Sequence, residues 1–143
     1  MLIVLWQWQA RGRGEPGEII KIATGAWIAC AANVILFVGC TLSDRVSVLY
    51  PIAYDVLLGV AFLYYWPTLL ALVSSAAPSG IKATMMGVVF LTLFLSNILI
   101  GRIGALYEHM TPAMFWAMHA GIAAVGGLLA MLLNKPLSRR LEH

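Results

Sequence analysis

Residues 83–106 read ATMMGVVFLTLFLSNILIGRIGAL, and Arg102 is the one charged residue among them. As a helix this run is about 36 Å long, enough to cross a hydrocarbon core of roughly 30 Å. Three further runs of the same kind occur at 22–42 (IATGAWIACAANVILFVGCTL), 48–77 and 113–133. The whole chain agrees: of 143 residues, 62% are hydrophobic and 10% charged, with a mean hydropathy of +0.89. A soluble domain is about 45–50% apolar and about a quarter charged. Too little polar surface is present to cover a water-soluble globule. That excludes a soluble enzyme, a secreted disulfide scaffold and a disordered tail. The fold class is all-α integral membrane, with four antiparallel transmembrane helices joined by short connections.

The breaks between the runs have their own signals. The 48–77 run is long enough to tilt, and Pro67 inside it removes a backbone donor, frees the carbonyl near Leu63 and predicts a bend. Residues 78–82, PSGIK, form a tight polar turn, and Tyr107 to Thr111 form another. Thr111-Pro112 pairs a capping hydroxyl with a proline at the first helical position. Asn134-Lys135-Pro136 is expected to end the fourth span, ahead of the basic tail LSRRLEH.

Residues 1–9, MLIVLWQWQ, are apolar, but as a helix they reach about 14 Å, less than half the hydrocarbon core. They are too short for a signal-peptide core with its flanks. They read as the end of a truncated transmembrane helix, a half-span with Trp6 and Trp8 at the interface. Residues 10–21, ARGRGEPGEIIK, read as a cytoplasmic loop, and 22–143 as the four-helix transmembrane region with its short tail.

The net charge of +3 is distributed unevenly. If the four spans alternate, Arg11, Arg13, Lys21, Lys82, Lys135, Arg139 and Arg140 lie on one side, against Arg45 alone in the loops of the other. Positive residues favour the cytoplasmic face, so the N-terminal loop and the C-terminus are expected there. Basic residues placed this way orient the protein in the lipid bilayer; they do not imply a nucleic-acid partner. Cys30 and Cys40 share one span, about 15 Å apart along a helix, too far to bridge. No phosphate loop, Ser/His/Asp constellation, zinc spacing or other metal cluster is present in the sequence, so neither an enzyme nor a cofactor or metal site is expected.

Polar side chains inside the spans are costly unless paired or used. Arg102 lies about 30 Å along its helix from Lys82, and Asp55 about 34 Å from Pro78 along its own. At similar height on consecutive helices, they either snorkel separately or form an ion pair, a tie or outer gate between spans two and three. Asn97, about 22 Å from Lys82, either bonds a neighbouring helix or touches a substrate. Asn33 reads mainly as interhelical glue. Tyr64 and Tyr65 fall near the bilayer centre beside Pro67, which suggests a polar cavity or hydroxyls bonded to adjacent helices. His119 reads as a packing or hydrogen-bonded residue. Ala120 with Ala124, Ala123 with Gly127, and Gly101 with Ala105 are small-residue pairs that permit close helix packing.

The run Pro16-(x4)-Lys21-(x3)-Gly25 ahead of a span, and above all Ala77-Pro78, Lys82, Met85-Met86-Gly87, Phe90-Leu91, Asn97 and Gly101, resemble the proton-dependent oligopeptide transporters of the major facilitator superfamily. The second set is similar to that family's loop into helix eleven, with Val89 where a tryptophan is usual. The resemblance covers nearly the whole chain. Residues 1–9 would end helix eight, and the four spans would be helices nine to twelve of a major facilitator fold. It implies the C-terminal part of a proton-coupled peptide-type transporter working by alternating access, inactive alone, in a bacterial inner (plasma) membrane. The missing N-terminal transporter helices would be its partners, with protons and a peptide or small molecule as substrates. The family's helix-ten glutamate, five residues before the proline, is Phe62 here. Asp55, two turns away on the same helix face, would be the substitute acid and joins Tyr64, Tyr65 and Asn97 as a substrate-cavity candidate. The alternative is a self-contained small four-helix membrane protein with a scaffold or assembly role.

Overall fold

A computed structural model describes residues 17–42 and 45–141. It contains four long helices: α1 (Glu18–Leu42), α2 (Leu49–Ala76), α3 (Lys82–Gly104) and α4 (Pro112–Leu141). A 3-10 turn over Ala105–His109 follows α3. Each helix carries a stretch long and apolar enough to cross a membrane, and no strand occurs among the described residues. The half-span expected at 1–9, and the loop from 10 to 16, lie outside the described residues.

Local chemistry explains the ends. The Gly17 carbonyl accepts from the Ile20 and Lys21 amides at 2.9 and 3.2 Å, and Glu18 sits in the first turn, where a carboxylate complements the helix dipole. Helix α1 therefore starts at Glu18, inside the stretch expected as loop. Ala77 is extended (φ −76°, ψ 133°), the conformation that a following proline imposes, and ends α2 ahead of Pro78. Thr111 caps α4 as its sequence suggests: the Met114 amide donates to Thr111 Oγ1 at 3.3 Å. One proline expectation gives way: α4 continues past Asn134-Lys135-Pro136 to Leu141. Helix α2 carries Pro67 in its interior, as expected. A proline costs its own amide bond and crowds the previous turn, but the helix can resume beyond it.

Helix α1 is the centre of the packing. Gly25 meets Ala61 and Tyr65 of α2, and Gly39 meets the Tyr50 ring, so α1 and α2 run antiparallel. On the α4 side, Gly127 lies against the Trp27 indole, and Tyr54 of α2 meets Trp116 of α4 edge-on at 5.3 Å. These contacts set α1 antiparallel to both neighbours. Ile19, Ala23, Gly25, Ala32, Asn33, Leu36 and Gly39 are buried along α1. Gly25, Ala32 and Gly39 recur every seven residues, which returns them to nearly the same side of a helix. In lipid, helix association depends on close van der Waals packing, and such residues let backbones approach.

Helix α3 is the outlier. Its one buried residue is Val89, and its ring contact to α2 is Phe90 against Trp66, edge-on at 5.8 Å. A third of the α1 span is buried, against 11% of the α4 span and 6% of each of the α2 and α3 spans.

Candidate functional site

The sequence candidates fall on two helices, α2 and α3. Tyr65 lies at the α1–α2 seam: a Cβ added at Gly25 would come within 3.2 Å of its Cβ and 3.3 Å of its backbone nitrogen. Tyr65 is 39% exposed, and its ring tilts against Trp66 with centroids 6.3 Å apart. Tyr64 is half-buried and interacts with its surroundings. Phe62 is 53% exposed and stacks on Trp66 at 5.9 Å. The three aromatics Phe62, Trp66 and Phe90 thus form a continuous ledge from α2 onto α3.

Asp55 and Arg102 are both exposed, and no ion pair joins them. Little of α2 packs against the second half of α3. Every residue from Phe90 to Arg102 is exposed, so nothing holds the guanidinium against α2. Asn97 is exposed as well and makes no hydrogen bond among the described residues. Asp55, Tyr65 and Asn97 do not bond one another.

Two polar groups sit on the packed helices instead. Asn33 is 7% exposed in α1. Its Nδ2 donates to the Ala29 carbonyl at 2.8 Å, while its Oδ1 is buried without a partner. The amide thus ties back to its own helix and does not serve as the interhelical link expected of it. His119 packs on Phe115 with ring centroids 4.3 Å apart, and its Nδ1 lies 2.9 Å from the Phe115 carbonyl. A carbonyl only accepts, so His119 Nδ1 is the donor in this contact. This agrees with the packing and hydrogen-bonding role read from the sequence.

What sequence reasoning missed is the α1 face. The signal was present in the seven-residue recurrence of Gly25, Ala32 and Gly39. Of the small-residue pairs it did single out, Ala120 and Gly127 are buried, whereas Gly101 has nothing within 4 Å of an added Cβ. Among the described residues no group of three His, Cys, Asp or Glu side chains could hold a metal ion. Chemically, the arrangement offers an aromatic ledge, an exposed carboxylate and two amides in an apolar frame. No family model, curated protein or solved structure matches the chain.

Proposed function

We propose that this chain is the C-terminal part of a proton-coupled, peptide-type membrane transporter of the major facilitator superfamily that works by alternating access. The observation that carries the reading is the motif at the α2–α3 junction. Ala77-Pro78 closes α2, Lys82 opens α3, Met85-Met86-Gly87 follows within the next turns, and Asn97 and Gly101 lie farther along the same helix. The order of these residues across a turn and the helix after it supports the reading. Alternating access rocks one bundle against another around a midplane site, so four helices alone supply neither the second bundle nor its coupling residues. The Phe62 ledge gives a substrate's amino terminus no anion, and Asp55, about 10 Å farther out on α2, is the acid available to replace it. The N-terminal loop and the C-terminus face the cytoplasm in this reading.

The test is a chimera in which this chain replaces the last four helices of a proton-coupled peptide transporter. In proteoliposomes with an inward proton gradient it should accumulate a labelled dipeptide or a related small substrate above the truncated host. This chain alone should match empty vesicles. A chimera that inserts with the correct topology and transports nothing across a dipeptide and small-solute panel overturns the reading.

A further inference from the structure

We propose that His119 is a proton-binding site, taking a proton at Nε2 from the membrane face at the Pro112 end while the Phe115 and Trp116 rings hold the imidazolium. The inference deepens the proposed function and rests on it only for what the bound proton drives. The four apolar runs hold three side chains that carry or can take a charge near neutral pH: Asp55, Arg102 and His119. Asp55 and Arg102 are exposed, whereas His119 is half-buried in the second turn of α4. An ionisable group inside a span is a candidate for proton movement, and imidazole is the side chain suited to it near neutral pH.

The surroundings of the ring carry the argument. His119 Nδ1 donates to the Phe115 carbonyl at 2.9 Å, which fixes the ring and leaves Nε2 as the atom where a proton comes and goes. That contact also draws the ring back one turn. Phe115 is only about 4.5 Å along the axis from Pro112, so a proton reaches the site without crossing the hydrocarbon centre. The Phe115 and Trp116 centroids lie 4.3 and 5.9 Å from the imidazole, within the roughly 6 Å at which an aromatic quadrupole attracts a cation. Both rings are themselves held. Phe115 is buried and meets Tyr107 of the 3-10 turn edge-on at 5.0 Å, and Trp116 meets Tyr54 of α2 edge-on at 5.3 Å. The titratable groups on these elements are Tyr54 and Asp55 of α2, Tyr107, Glu108 and His109 of the turn, and Cys30 and Cys40 of α1. Among the described residues none forms an ion pair with His119, so the two rings are what favours its charge. The positive end of α4 opposes a cation only within its first turn, and His119 lies beyond it. The step makes one bond: the Nε2 lone pair takes a proton from water, an N–H forms and the ring gains one positive charge.

The test counts protons on the full chain in lipid nanodiscs. As pH falls from about 8 to 5, the parent should take up about one proton more per chain than His119→Gln. Tryptophan emission should fall over the same range, because a charged imidazolium quenches an adjacent indole. That loss should vanish in His119→Gln and in Trp116→Phe, and persist in His109→Gln. Circular dichroism verifies that each variant keeps its helix content. Equal proton uptake by the parent and His119→Gln, or an emission loss that survives His119→Gln, overturns the proposal. In the transporter chimera, His119→Gln should abolish gradient-driven accumulation and keep substrate exchange without a gradient, a split that a packing role alone does not produce. Accumulation undiminished by His119→Gln overturns the coupling. A chimera inert with His119 in place overturns the transport reading, and the proton count on the chain alone still decides the site.

Discussion

Replacing Gly25 by alanine should push α1 off α2. The new methyl carbon would stand 3.0 Å from the Ala61 carbonyl oxygen, 3.2 Å from Tyr65 Cβ and 3.3 Å from the Tyr65 backbone nitrogen, where ordinary contact begins at 3.4 Å. Two of the three atoms are backbone, so no side-chain rotation relieves the clash; the helices must separate by a few tenths of an ångström. Overpacking of this kind costs about 1–3 kcal/mol. The gain from removing a helical glycine is about 0.5–1 kcal/mol, so the net effect is destabilising by about 1 kcal/mol at the middle of both ranges and about 2.5 kcal/mol at most. Two controls separate packing from propensity. Gly39→Ala meets the Tyr50 ring at 2.9 Å, a side chain that can swing away, and should cost less. Gly59→Ala meets nothing within 4 Å and should be neutral or slightly stabilising. Equilibrium unfolding in mixed micelles with increasing denaturing detergent, followed by helix content, gives the ranking. A Gly25→Ala protein as stable as the parent, or a Gly59→Ala protein less stable than Gly25→Ala, would refute the α1–α2 contact described here.

Asn33→Leu removes a buried acceptor that has no partner and should stabilise the protein by about 1 kcal/mol in the same assay; a loss above about 2 kcal/mol would show that Oδ1 is in fact bonded. Asp55→Asn and Arg102→Gln should be additive, coupling by less than about 0.2 kcal/mol, below even a surface ion pair. Coupling above about 1 kcal/mol in a double-mutant cycle would show that the two charges meet. Reporter fusions at Lys21, Lys82 and Arg140 should report the cytoplasm and one at Glu108 the opposite side; an external signal at Lys82 reverses the topology.

The helices were legible because their apolar runs are long and bounded by Gly, Pro and charge, as at PSGIK and Thr111-Pro112. Their ends were less so. Glu18 to Lys21 look like loop by composition, yet the Gly17 carbonyl starts the helix there, a backbone event that composition does not record. Pro136 reads as a stop, although a helix can resume beyond a proline. Height along a helix could be counted, so Asp55 and Arg102 were placed level. Azimuth and neighbour contact could not be counted, and those decide whether level charges touch. The Asn33 amide was visible in the sequence, but its bond to Ala29 was not, because a span of polar and small residues does not state which side faces another helix.

The central position of α1 has a consequence for how the protein is made. Trp27 and Gly127 touch in the finished bundle but are a hundred residues apart in the chain. At about 5–20 residues per second, synthesis leaves α1 in the bilayer for roughly 5–20 s before its α4 partner emerges. The α1–α2 hairpin forms early, between neighbours in sequence. The other flank, where Trp27 will receive Gly127, meanwhile faces lipid or whatever insertion factor shields it. Late α4 arrival makes this flank the window in which a membrane chaperone or protease can act, and a break in translation after Thr111 would leave the bundle open on that side.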